Sequence, residues 1–167
     1  MLNLEKVLHV EDDPALRKLI RISFQSEWKR IDEAGSVHEA LKLIEENGNN
    51  YQLIMLDLGL NGNRSLQDPE KCIETVRLFN ACSVAPKVIY TGAGDDVVAR
   101  IQARAQELGI YGVVTKGTFS MDRIRAIIEN AVRTWREERF SMTIGSLTAQ
   151  IDSITIHRRK VISEMRG

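Results

Sequence analysis

The stretch Tyr51-Gln52-Leu53-Ile54-Met55-Leu56-Asp57-Leu58 decides how this chain folds. It is a nearly continuous apolar run, too short for an ordinary helix and suited to a strand buried on both faces of a parallel sheet. Asp57 comes at the end of that run, and Gly59, Asn61, Gly62 and Asn63 follow as turn formers. A carboxylate at the carboxyl end of a buried strand stands where open α/β sheets place their ligand sites. Taken alone, the stretch fits equally well with Asp57 as a cap on the next turn. The other strands decide between the two.

Upstream, Lys6-Val7-Leu8-His9-Val10 reads as a first strand, followed at once by Glu11-Asp12-Asp13-Pro14. Pro14 suits a first helical turn and Asp13 an N-cap. Leu16, Leu19, Ile20, Ile22 and Phe24 supply a mostly helical rhythm. Residues 31–34 form a short second strand. Ser36 and Glu39 make a capping box for a helix whose apolar face is Val37, Ala40, Leu41 and Ile44, and Gly48-Asn49-Asn50 stops it. Downstream of Asp57 a long polar loop runs to about Asp68, and Pro69 restarts a helix along Ile73, Val76 and Leu78. Lys87-Val88-Ile89-Tyr90-Thr91 is a fourth strand, and Gly92-Ala93-Gly94 a mobile turn after it. A helix is expected from Asp95 to about Leu108, with Gly109 as its stop. Residues 110–115 give a fifth strand ending at Lys116-Gly117, and Ser120 caps a helix along Ile124, Ile128, Val132 and Trp135. Strands alternating with helices predict a doubly wound α/β fold, a parallel sheet covered on both faces.

Composition adds bounds. The chain has 167 residues, 43% hydrophobic and 28% charged, with 23 basic and 23 acidic side chains. A zero balance gives no whole-chain case for nucleic acid or an acidic membrane. No apolar run reaches bilayer length and the N-terminus lacks a signal-peptide pattern, so a cytoplasmic location is expected. Cys72 and Cys82 lack a metal or redox spacing and read as buried or half-buried thiols. His9 reads as a core or half-buried histidine, His38 as solvated, and Trp28 and Trp135 as packing residues.

In a parallel sheet all carboxyl ends share one edge, so Glu11, Asp12, Asp57, Thr91 and Lys116 converge. Three crowded carboxylates repel one another and call for a cation, and hard oxygen ligands suit Mg2+. Lys116 can grip an anion and Thr91 can donate a hydroxyl hydrogen bond to it. Together these are the parts that stabilise a transferring phosphoryl group, with Asp57 as candidate nucleophile.

With Val7-Leu8-His9-Val10-Glu11-Asp12-Asp13-Pro14, Leu56-Asp57-Leu58, Val88-Ile89-Tyr90-Thr91-Gly92-Ala93 and Val114-Thr115-Lys116 in this order, the chain resembles the receiver domain of two-component response regulators over residues 4–133. The resemblance implies a flavodoxin-like five-stranded sheet in the order 2-1-3-4-5. It implies that Asp57 accepts a phosphoryl group from a sensor histidine kinase or phosphotransfer protein. It implies Mg2+ held by Glu11, Asp12, Asp57 and the backbone carbonyl of Gly59, and phosphoryl contacts from Thr91 and Lys116. Such a protein is not a conventional enzyme; it assists its own phosphotransfer and dephosphorylation. Three departures stand out. Gly117 follows the lysine where the family commonly has a cis-linked proline, Val113 occupies the place of the switch aromatic, and Asn61 stands where proline usually follows the acceptor strand. The acid site is complete while the output coupling is altered. Two other functions fit the same residues: a phosphorylation-independent interaction module, and a phosphatase or nucleotide-binding enzyme on the same fold. The missing Gly-rich phosphate loop and Cys or Ser nucleophile loop weigh against the enzyme.

The expected organisation is a receiver over residues 1–135 and a helical extension over 136–167. Arg136-Glu137-Glu138-Arg139 prolongs the last receiver helix, and Gly145-Ser146 is the expected place for a break. Ile144, Leu147, Ile151, Ile154, Arg158, Val161 and Met165 then fall at alternating steps of three and four, a heptad stripe broken by Arg158. An amphipathic helix folded back on its domain, a homodimer or downstream-protein contact, and a linker piece all fit this pattern. The tail is too short for a usual helix-turn-helix, so direct DNA binding is not expected, nor is membrane binding.

Overall fold

The apolar run before Asp57 forms strand β3, Leu53–Leu56, with all four residues buried. The computed structural model describes residues 3–47, 50–60, 68–118 and 120–164, with side chains described through Thr155 in the last helix. Asn61, Gly62, Asn63, most of the long loop, the Gly48-Asn49 helix stop and Met165 lie outside the described residues. Around β3 the elements follow as β1 (Val7–Val10), α1 (Pro14–Phe24), β2 (Ile31–Ala34), α2 (Val37–Asn47), α3 (Pro69–Cys82), β4 (Lys87–Thr91), α4 (Asp95–Ala103), β5 (Ile110–Thr115) and α5 (Met121–Glu164). The strands form one five-stranded sheet in the order β2-β1-β3-β4-β5, with every pairing parallel. This is the flavodoxin-like doubly wound order. Strand order reverses between β1 and β3, so ligand chemistry is expected at their carboxyl ends.

Alternation within each strand feeds two cores. Leu8, Val10, Ile54, Leu56 and Ile89 point toward α2, α3 and α4, packing with Ile44, Ile73, Val76, Phe79 and Ile101. Val7, Leu53, Met55, Val88 and Val114 face the other way, against Ile20 and Phe24 of α1 and Ile124 and Ile128 of α5. The α1 rhythm is narrower than its spacing suggests: Ile20 and Phe24 are buried, whereas Leu19 and Ile22 are exposed. Gly112 of β5 makes the α5 contact possible. A Cβ built there would lie 2.5 Å from Ile127 Cγ2, so only glycine lets this helix approach.

Local chemistry explains the helix starts. Asp13 and Asp68 are both N-caps followed by proline, each with Oδ1 accepting amide hydrogens of the first turn, from Ala15 at 2.7 Å and from Glu70 at 3.1 Å. At α2 the Ser36 hydroxyl accepts from the Glu39 amide, while the Glu39 carboxylate reaches back to Gly35, one residue earlier than a standard box. Two helix boundaries differ from the sequence expectation. Helix α4 ends at Ala103 instead of near Leu108, because Arg104 leaves helical geometry and residues 104–109 form turns. Gly109, at φ 62°, then lets the Ile110 amide bond back to the Ala105 carbonyl. Nor is there a break at Gly145-Ser146: α5 is continuous from Met121 to Glu164. One interior glycine costs only about 1 kcal/mol of helix stability, less than its helix-forming neighbours can offset. Cys72 is buried as expected, but Cys82, in the last turn of α3, is exposed. The chain divides into two compact units, Met1–Val132 and Arg133–Gly167.

Lys87, at the start of β4, is a charge in the core with 1% of its surface exposed. Its Nζ donates to the Ser83 carbonyl at 2.7 Å and to Asn80 Oδ1 at 2.9 Å. Burial lowers its ammonium to about 8 from an ordinary 10.5. Between those pH values the unfolded chain keeps a proton that the folded chain has released, so stability rises with pH there. Relative to Lys87→Met, the native chain should gain up to about 3 kcal/mol across this window in urea denaturation. Parallel stability curves for the two proteins would refute the assignment.

Candidate functional site

Parallel register brings the site together. Val10 pairs with Leu56, so Glu11 and Asp57 leave the sheet side by side. Thr91 pairs with Thr115, which places Lys116 next to the end of β4. The pairing continues one step past the strands, with the Glu11 amide bonded to the Ala34 carbonyl and the Asp57 amide to the Val10 carbonyl. Both acids therefore start from fixed main chain.

Carboxylate oxygens of Glu11, Asp12 and Asp57 all lie within 4.8 Å of one another. Glu11 and Asp57 are buried, at 0% and 3% exposure, while Asp12 faces solvent. Lys116 Nζ lies 2.8 Å from both Glu11 Oε2 and Asp57 Oδ2. Burial raises the Glu11 carboxyl above its ordinary value, opposed by the Lys116 hydrogen bond and reinforced by the nearby Asp57 charge. Burial alone would depress the Lys116 ammonium, but its bonds to Asp57 and Glu11 outweigh that and raise it. Tyr90 adds the face of its ring, centred 5.2 Å from Lys116 Nζ.

Three carboxylates against one ammonium leave a formal excess of two negative charges, equal to one divalent cation. The buried Oδ1 of Asp57 has no hydrogen-bond partner among the described residues. An orphaned carboxylate oxygen inside an acid cluster is an open ligand position, so the residues present fit Mg2+. Gly59, whose carbonyl the resemblance adds to the metal set, is buried two residues beyond Asp57.

Thr91 is fully buried, and its Oγ1 accepts from the Ala93 amide at 3.2 Å. The hydroxyl thus pins the first turn of the Gly92-Ala93-Gly94 loop and keeps its own proton for a further acceptor. Lys116–Thr118 form a single 3₁₀ turn, and no cis peptide bond occurs among the described residues. Val113, at the place of the family's aromatic, is half-buried on β5.

Sequence reasoning missed Arg17. Its Nη1 donates to the Glu11 backbone carbonyl, and a Cβ on Gly35 would lie 3.1 Å from it. One helical turn separates Arg17 from the Asp13 cap, which directs it back over the end of β1. That spacing was the available signal. His9 is 1% exposed, and burial, with Arg17 and Lys116 adding to it, lowers its imidazole to about 3, so it sits neutral in the core.

A doubly wound sheet carrying an acid cluster, a lysine and a threonine at its switch point defines the class. The sequence profile of the response regulator receiver domain matches residues 7–129. The chain belongs to that family, the receivers of two-component systems. It is 29% identical over 152 residues to the transcriptional regulatory protein AfsQ1 of Streptomyces coelicolor, covering 90% of this chain and 61% of that protein. It is 31% identical to the methanogenesis regulatory protein FilR1 of Methanothrix harundinacea, over 78% of this chain and 28% of that protein. The chain thus spans less than two thirds of these curated relatives. A solved receiver domain protein from Clostridium thermocellum superposes with a TM-score of 0.61 at 18% identity, over 82% of this chain and 99% of that one. No helix among the described residues is long and apolar enough to cross a membrane.

Proposed function

We propose that Asp57 is the phosphoacceptor of a Mg2+-dependent receiver, with Glu11, Asp12, Asp57 and the Gly59 carbonyl as the metal set. The observation that carries this is the buried Asp57 carboxylate, held on one oxygen by Lys116 and unpartnered on the other. The phosphodonor is a sensor histidine kinase or a phosphotransfer protein carrying phosphohistidine. A carboxylate oxygen of Asp57 attacks phosphorus; the O–P bond forms as the N–P bond breaks, and the electron pair returns to the imidazole nitrogen, which takes up a proton. Bound Mg2+ supplies charge neutralisation at the phosphoryl oxygens. Lys116 moves its ammonium from the carboxylates to those oxygens, and Thr91 turns its hydroxyl to the same group. The chain acts as a signalling receiver more than as an enzyme with an external product. Residues 1–135 carry the phosphoacceptor chemistry, and the helical extension over 136–167 is a contact surface for a downstream protein or a second copy.

Intact mass spectrometry after acetyl phosphate and Mg2+ tests the reading. One phosphoryl mass should appear, vanish with EDTA, and be absent in Asp57→Asn. Labelling that survives either change would overturn the assignment.

A further inference from the structure

We infer that the C-terminal helix pairs with a second copy of this chain, as a parallel two-stranded coiled coil centred on residues 140–154. The inference deepens the contact-surface part of the proposed function and is independent of phosphoryl chemistry. Residues 136–155 are helical, and every one of them is exposed. A helix that buries nothing is marginal in water, because tertiary packing supplies most helical stability. Yet this one carries a heptad stripe: Phe140, Ile144, Leu147, Ile151 and Ile154 are spaced by four, three, four and three. They are 69%, 47%, 50%, 63% and 68% exposed, large apolar side chains left in water along one seam.

The residues flanking the seam select the occupant. Ser141, Thr143, Thr148, Gln150 and Thr155 occupy the positions next to the stripe, where coiled coils place the charges that choose partners. All five are uncharged. No charge there selects an oppositely charged partner, and none repels an identical helix. Charges lie instead on the outer faces, as Glu138, Arg139 and Asp152. Within the seam, Ile144 and Ile151 take one core position and Phe140, Leu147 and Ile154 the other, and the β-branched pair around Leu147 is the arrangement that favours two parallel strands. Arg158 is the next residue of the stripe, and two stacked guanidiniums would repel, so the packed seam ends at Ile154.

Sedimentation of the full chain, from low to high micromolar concentration, tests the pairing. The native chain and Asp57→Asn should both dimerise reversibly, and Ile151→Asp should weaken dimerisation at least tenfold. In a Cys82→Ser background, which removes the exposed thiol, Ile151→Cys should form an inter-chain disulfide under mild oxidation, because parallel registry sets the two positions face to face. A native chain that stays monomeric throughout would overturn the inference. So would a dimer that Ile151→Asp leaves intact, or one in which Ile151→Cys does not cross-link. Loss of phosphoryl uptake with dimerisation preserved would instead count only against the acceptor assignment.

Discussion

Lys116→Met is expected to cost the receiver about 3 kcal/mol of stability in chelator-containing buffer. Lys116 is the cation that separates the buried Glu11 and Asp57 carboxylates, at 2.8 Å from each. Methionine keeps most of the stem volume and removes the charge, leaving two like charges in a site of low exposure. The ammonium retains 24% side-chain exposure, so the loss belongs at the lower end of the range for a broken buried pair. Adding Asp57→Asn to Lys116→Met should recover most of the loss, since one of the two repelling charges is then gone. Saturating Mg2+ should also recover much of it in the single variant. Urea denaturation of the four proteins of this cycle measures the coupling directly. Equal stability of the native chain and Lys116→Met in chelator would show that the ion pairs contribute nothing.

Gly112→Val should destabilise the fold by about 3 kcal/mol, with little direct effect on the acid cluster. The added Cβ would stand 2.5 Å from Ile127 Cγ2 and 3.5 Å from Val88 Cγ2, against a helix and a neighbouring strand that are both fixed by packing. The Ile127 atom is a β-branched methyl with one favoured rotamer in a helix, so it cannot swing clear cheaply. Gly112→Ala alone should cost roughly 2 kcal/mol, and much less in an Ile127→Ala background, where the obstructing methyl is absent. Strict additivity of these two changes would mean that the helix simply moves away.

These two positions also show what could be read in the sequence. The run of Leu53 to Leu56 is legible as a buried parallel strand because both of its faces need apolar residues, and Asp57 stands out as the charge that follows it. Glu11, Asp12, Thr91 and Lys116 are legible because a parallel sheet puts every strand's carboxyl end on one edge. The close approach at Gly112 is not legible, since a strand glycine gives no hint of which side chain fills its space. Lys87 reads as a polar strand end; its burial depends on Asn80 and Ser83, which only the tertiary fold places over it. The end of α4 is hidden for a different reason. Ala105 and Leu108 continue the helical spacing, while Arg104 and Gly109 turn the chain out of it. At Gly145 the local signal pointed to a break, and the helix formers on either side prevailed.

Trp28 stacks on Phe24 with ring centroids 4.3 Å apart and only 3% of its surface exposed, inside the unit that ends at Val132. Trp135 is the chain's other tryptophan, and it belongs to the unit that begins at Arg133. The protein therefore carries one tryptophan in each unit. With excitation selective for tryptophan, a Trp135→Phe chain would report from the receiver core alone, and a Trp28→Phe chain from position 135 of α5 alone. Fluorescence from such a pair would resolve melting of the sheet from events along the C-terminal helix without any attached dye.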